Sequence, residues 1–179
     1  DNISVEISDS NLAKRYVARI IKNVTVKESP KWLKERVESI GIRSINNIVD
    51  ASNFVMMELN QPNHAFDLDK IEGGKIVVRA GLENEKLVTL DEQERELNRD
   101  DIVISDGVKA VALGGVMGGE NSQITENTKN ILLEVANFNS QNVRKTSRRL
   151  TLSSDSSYRF ERRVDEENAI NVINRLANL

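Results

Sequence analysis

The sequence contains no cysteine, a single histidine, His64, and only two prolines among its 179 residues. Without thiols there is no disulfide, no thiol nucleophile and no thiolate metal site, a composition that suits a reducing compartment. One imidazole and no thiolate also leave a structural zinc without its usual ligands. Aromatic residues make up 4% of the chain, so stacking on aromatic platforms is not expected to be its main binding mode. Positive charge is not in excess, with a net charge of −3 and a pI of about 5.4, which argues against a surface whose chief task is to coat nucleic acid. No signal peptide and no apolar run of membrane-spanning length is present, so a cytoplasmic location is expected, with no membrane partner.

What remains is ordinary for a folded chain: 39% hydrophobic and 30% charged residues. The length suffices for one large domain or two small intertwined lobes around a real core. The chain opens on Asp1 and closes in a helical pattern, which reads as residues 1–179 forming one domain cut from a longer protein. The β-branched stretch Tyr16–Val26 reads as a long strand. A helix is expected from Pro30 with Ser29 as cap, Trp32, Leu33, Val37 and Ile40 at helical spacing and Gly41 as stop. A second follows from a Ser44 cap, with Ile45, Ile48, Val49, Ser52, Met56 and Leu59 on one face, until Asn60-Gln61-Pro62 ends it. The period then changes to two, giving short strands near 75–80, 86–90, 101–105, 110–113 and 130–135. The last third turns helical again over 141–150 behind Ser140, 156–163, and 166–179 behind Asp165. The expected fold class is α/β (α+β): a mixed or antiparallel β core, helices packed on its faces, and two interwoven lobes.

The stretch Gln61-Pro62-Asn63-His64-Ala65-Phe66-Asp67 stands out, because Pro62 restricts its neighbours and should present His64 on a constrained turn. A lone imidazole there either marks a site or merely bonds a backbone carbonyl and packs. Arg43, on the connector between the two helices, either points back over this turn or is a solvated helix-end charge. Gly114-Gly115-Val116-Met117-Gly118-Gly119 matches neither a P-loop nor a dinucleotide fingerprint. It serves either close approach of bare N–H groups to a ligand or a tight strand-to-strand crossover. Glu134, inside the apolar run 131–136, belongs either at an open edge or in a cavity where it is hydrogen-bonded. Seven Lys/Arg against two Asp/Glu between Arg144 and Arg163 make a local net charge of +5 that suits a phosphate-bearing ligand or an RNA end. The hydroxyls of Ser153, Ser154, Ser156 and Ser157 either bind a ligand or cap a helix. No triad order and no nucleophile elbow is present, which disfavours covalent catalysis.

Together, Gly41–Asn46, Gln61–Asp67, Gly114–Glu120 and Ser157-Tyr158-Arg159-Phe160-Glu161-Arg162 closely resemble the B3/B4 domain of the bacterial phenylalanyl-tRNA synthetase β subunit, in the family's order and across nearly the whole chain. The resemblance implies an editing domain that hydrolyses tyrosine wrongly esterified to tRNA(Phe). A pocket shaped for a phenyl ring rejects the same ring with an added hydroxyl only weakly, so a second site must select for the hydroxyl. On this resemblance Glu134 accepts the phenol, helped by backbone amides at Gly115 and Gly118. His64 is the editing histidine, and Arg43 lines the same pocket. Ser154 and Ser156 stand where the family commonly has Thr and Ala, while Asn60 and Arg163 stand where many members have Gly. The implied partners are the 3′ end of tRNA(Phe) carrying a mischarged amino acid, the remaining β-subunit domains, and the α subunit of a synthetase built from two of each subunit. ATP and magnesium would belong to the α subunit, leaving no cofactor and no metal here. The alternatives are a noncatalytic RNA-binding or scaffold module, or a freestanding aminoacyl-ester hydrolase of the same fold.

Overall fold

The computed structural model describes residues 2–179. Among them are ten strands and five α-helices: β1 (Ser4–Ile7), β2 (Ala13–Ile21), α1 (Lys31–Ser39), α2 (Asn47–Leu59), β3 (Asn63–Asp67), β4 (Lys75–Ala80), β5 (Lys86–Val88), β6 (Glu94–Glu96), β7 (Ile102–Ser105), β8 (Ala110–Leu113), β9 (Met117–Gly118), β10 (Ile131–Phe138), α3 (Ser140–Arg149), α4 (Asp155–Phe160) and α5 (Ala169–Ala177). A five-stranded mixed sheet runs in the order β1-β4-β7-β8-β9, with only the β1–β4 pair parallel. A three-stranded antiparallel sheet has the order β2-β10-β3, and β5-β6 form a separate ribbon. Since β1 and β4 belong to one sheet while β2 and β3 belong to the other, the chain passes back and forth between two interwoven lobes. This is the mixed α+β architecture that the patterning predicts.

The strand β10 is the middle of the smaller sheet, and all eight of its residues are buried. Leu132, Ala136 and Phe138 join the core shared with the larger sheet, alongside Phe66, Ile76 and Ile104. Ile131, Leu133 and Val135 face the other way, onto Val55 of α2 and Val172 and Ile173 of α5. A strand covered on both faces carries a continuous apolar run rather than an alternating one, and burying each such side chain contributes about 1.5–3 kcal/mol. Alternation within this strand aims Glu134 into the core between the sheets, on the same side as Leu132 and Ala136. The open-edge alternative for Glu134 is thereby excluded.

Several expected boundaries shift for local reasons. The first long strand begins at Ala13 and ends at Ile21, where its partner strand begins at Ile131. The residues after Pro62 form the strand β3, so His64 lies in a ladder and not on a turn. Neither Ser29 nor Ser44 caps a helix: both hydroxyls donate to the fully buried Asp50 carboxylate, at 2.5 and 2.6 Å, and Ile45 N adds a third bond at 2.9 Å. The α2 cap is Asn46, whose side chain accepts from Val49 N, while α1 starts behind Pro30 without a side-chain cap. Asn139 in place of Ser140 caps α3. Asp165 accepts from Glu167 N at 2.9 Å, and α5 begins later, at Ala169. The short strands β1, β6 and β9 carry too little periodic pattern to be recognised from sequence.

Candidate functional site

In the antiparallel ladder of β3 and β10, His64 stands directly opposite Glu134. Opposed residues project to the same face of a sheet, so both enter the core between the sheets. On the other side of β10, Tyr16 of β2 is opposite Ala136, and so is a diagonal neighbour of Glu134 on that face. Its Oη donates to Glu134 Oε2 at 2.5 Å. The other carboxylate oxygen, Oε1, has no hydrogen-bond partner among the described residues.

The opposite wall is the glycine-rich turn of β8 and β9. A Cβ on Gly118 would lie 2.6 Å from His64 Cε1 and 2.8 Å from Nε2, so the backbone reaches the imidazole only because no side chain is present. Gly115 adopts φ +77°, and a Cβ there would meet Val143 Cγ2 at 2.8 Å. Phe138 and Phe160 close the floor edge to face, with centroids 5.2 Å apart. His64, Glu134, Gly115, Gly118, Ser156 and these two phenylalanines line a cavity of about 50 Å³. A larger cavity of about 410 Å³ adjoins it, sharing His64, Gly118 and Ser156 and adding Ser154, Asn46 and Met56.

Burial dominates the electrostatics. It pushes the Glu134 carboxyl up to about 7, against the opposing effect of the Tyr16 hydrogen bond. It pulls His64 down to about 4, so the imidazole is neutral at physiological pH. Tyr16 is held well above the usual phenol range by burial and then by the neighbouring carboxylate. Among the described residues no three His, Asp or Glu side chains gather to hold a metal ion, and no helix is long and apolar enough to cross a membrane.

The remaining sequence candidates divide. Ser154 caps α4: its Oγ accepts from Ser157 N at 3.0 Å and donates to Val116 O at 2.7 Å, so the hydroxyl is committed to the fold while bordering the larger cavity. The Ser156 hydroxyl borders both cavities, with only Met56 Sδ near it at 3.9 Å. Arg43 is exposed on the α1–α2 connector and lines neither cavity. The basic stretch lies on α3 and α4, partly neutralised where Arg149 pairs with Asp101 and Lys145 with Asp100 at 3.5 Å. Tyr16 is the site residue that sequence reasoning misses. Its partner lies 118 positions away, and within a predicted strand nothing distinguishes it from its β-branched neighbours.

Residues 12–179 match the family described as the B3/4 domain. The chain belongs to the B3/4 domain family. It is 53% identical, over 99% of its length, to the phenylalanine–tRNA ligase beta subunit of Fusobacterium nucleatum subsp. nucleatum, of which it spans 22%. It is 52% identical to the corresponding protein of Bacillus subtilis over 92% of this chain and 20% of that one. The chain therefore spans about a fifth of the length of these curated relatives. A solved N-terminal fragment of the phenylalanyl-tRNA synthetase beta-subunit from Pyrococcus horikoshii superposes with a TM-score of 0.58 at 15% identity, covering 76% of this chain and 43% of that one, a likeness of fold. Two of the departures noted against the B3/4 family, Asn60 and Arg163 in place of glycine, fall at φ 52° and φ 62°, left-handed positions that glycine adopts without strain.

Proposed function

We propose that this domain hydrolyses the ester of tyrosine mischarged onto tRNA(Phe), as the proofreading part of a phenylalanine–tRNA ligase β subunit. The observation that carries this reading is the buried Glu134 carboxylate, which lines the small cavity with one oxygen uncommitted and His64 across the ladder from it. A phenol entering the small cavity donates to Oε1. A phenyl ring leaves that oxygen without a partner, and an unpaired buried acceptor costs about 1–3 kcal/mol, more when charged. With the ring anchored there, the ester occupies the larger cavity beside His64, Ser154 and Ser156. Arg43, outside both cavities, is left to the RNA side of the ester.

An aminoacyl ester is already activated, so a placed water is the main requirement. Water oxygen attacks the ester carbonyl carbon, the bond from that carbon to the ribose oxygen breaks, the ribose oxygen leaves with a proton, and tyrosine is released. A neutral imidazole with a pKa of about 4 is a weak general base. His64 therefore acts mainly by orienting the water and the substrate's amino or ribose groups. On this reading the step needs no cofactor, and ATP and magnesium serve the α subunit. Of the four residues whose convergence would mark an editing site, His64 and Glu134 line one cavity, Ser154 borders the adjoining one and Arg43 lies outside both; the pairing of His64 with Glu134 is what supports editing over a noncatalytic RNA-holding module.

The test is tyrosine release from Tyr-tRNA(Phe) by the assembled synthetase, with Phe-tRNA(Phe) as control. The intact enzyme should prefer the tyrosyl ester, and Glu134→Ala should reduce that preference by about 5- to 150-fold, the equivalent of the lost acceptor. His64→Ala should slow hydrolysis while preserving the residual preference. Equal rates of the intact enzyme on the two esters would overturn the proposal.

A further inference from the structure

The roles assigned above leave out the one hydrogen bond that the structure places on Glu134. Resting on the editing reading, we propose that Tyr16 is a positioning and selectivity residue: its phenol, chemically the same group the site selects, holds Glu134 Oε2 so that the carboxylate offers only Oε1 to the substrate. Recognition is then a two-phenol clamp on one carboxylate, with one phenol resident and the other arriving on the substrate.

Three observations carry this. Tyr16 is fixed by the β2–β10 ladder, and its ring meets Phe138 edge to face at 6.5 Å, so its oxygen is held in place by the ladder and by the cavity floor. The 2.5 Å distance to Oε2 is that of a hydroxyl donating to a carboxylate. Among the described residues no cation lines the cavity: β3 presents the neutral His64, and the β8–β9 turn and α4 present Met117, Gly118, Ser156 and Phe160, while Tyr16 reaches Glu134 from β2. Tyr16 is thus the donor that opposes desolvation of the carboxylate.

That opposition matters for selectivity because an ionised carboxylate only accepts hydrogen bonds, whereas a protonated one carries its own O–H. A charged Oε1 needs the substrate's phenol, and a neutral carboxyl does so far less. Burial alone already lifts Glu134 to about 7 with the Tyr16 bond in place. Without that bond the carboxyl would be pushed up further still.

The test is Tyr16→Phe in the β subunit of the assembled synthetase, which removes one oxygen and keeps the ring. Enzyme-dependent tyrosine release is followed from pH 6 to 9, after subtracting spontaneous ester hydrolysis. The acid limb of the rate on Tyr-tRNA(Phe) should move up by about one pH unit, giving roughly fivefold slower release at pH 7 that recovers toward pH 9. Release from Phe-tRNA(Phe) should rise, because a neutral carboxyl penalises a bare phenyl ring less than a charged one. The double variant with Glu134→Gln, which has no carboxyl to titrate, should show no further effect of Tyr16→Phe. An unchanged rate and midpoint, a uniform loss without a shift in midpoint, or faster release because Tyr16 competes for the acceptor would each overturn the role of Tyr16. Loss of tyrosine preference in the unsubstituted enzyme would instead overturn the editing reading itself.

Discussion

At the scale of single residues, Gly118 connects the glycine cluster to the histidine. A methyl group there would come within 2.6 Å of His64 Cε1, and the imidazole is itself wedged edge to face on Phe66 with centroids 4.5 Å apart. The ring must tilt away, and overpacking of this kind costs about 1–3 kcal/mol. Gly118→Ala should therefore keep the fold, lower stability by that amount in a urea titration, and reduce tyrosine release several-fold. Release unchanged in Gly118→Ala would show that the orientation of His64 does not matter. The residues legible from sequence were those out of place in their surroundings: a solitary imidazole, a carboxylate within Ile131–Ala136, and four glycines in six residues. Tyr16 was not legible, because a tyrosine is at home in any half-buried strand and only the register of β2 on β10 shows what its hydroxyl meets.

At the scale of elements, the α1–α2 pair owes its geometry to one buried carboxylate. Asp50 accepts from Ser29 Oγ, Ser44 Oγ and Ile45 N, tying the approach to α1, the connector and the first turn of α2 into one unit. Its position in that first turn also suits the helix dipole. Asp50→Ala leaves the buried Ser29 hydroxyl, the half-buried Ser44 hydroxyl and the Ile45 amide without their acceptor and should destabilise the protein by about 2–4 kcal/mol. Ile45, Asn46 and Val49 line the larger cavity, so amide exchange of the connector should rise in the same variant. Exchange rates unchanged across residues 40–50 would show that the carboxylate does not hold this wall. These bonds also explain why helix existence was legible while helix caps were not. Apolar spacing placed both helices, but Ser29 and Ser44 match the cap pattern locally and are taken by a group that sequence distance hides. Likewise Pro62 correctly ended α2, yet whether the next residues turn or extend depended on an open edge of β10 to pair with, which Asn63–Asp67 occupy.

At the scale of the whole molecule, the two buried site groups bias stability in opposite directions with pH. His64 has its pKa lowered from 6.5 to about 4, so below 6.5 the unfolded chain takes up a proton that the folded one refuses, and stability falls as pH drops through that window. Glu134 has its pKa raised from 4.5 to about 7, so the folded state holds a proton that the unfolded chain has released, and stability falls as pH rises from 4.5 to 7. The windows overlap between 4.5 and 6.5, and with shifts of similar size the two slopes nearly cancel there. Glu134→Gln removes one of them and should make stability climb between about pH 4.5 and 7 relative to the unsubstituted protein, by roughly 3 kcal/mol. His64→Gln should produce the opposite relative slope, a decline between about pH 4 and 6.5. Asp91 and Asp106, and likewise Glu58 and Glu85, have lowered pKa values and add stability that is lost on acidification, but they are common to all three proteins and drop out of the differences. Urea midpoints read at half-unit steps of pH give these slopes without any tRNA. Difference curves that stay flat for both variants would mean that neither group is buried in the protonation state assigned to it, and the hydroxyl-selective carboxylate would lose its physical basis.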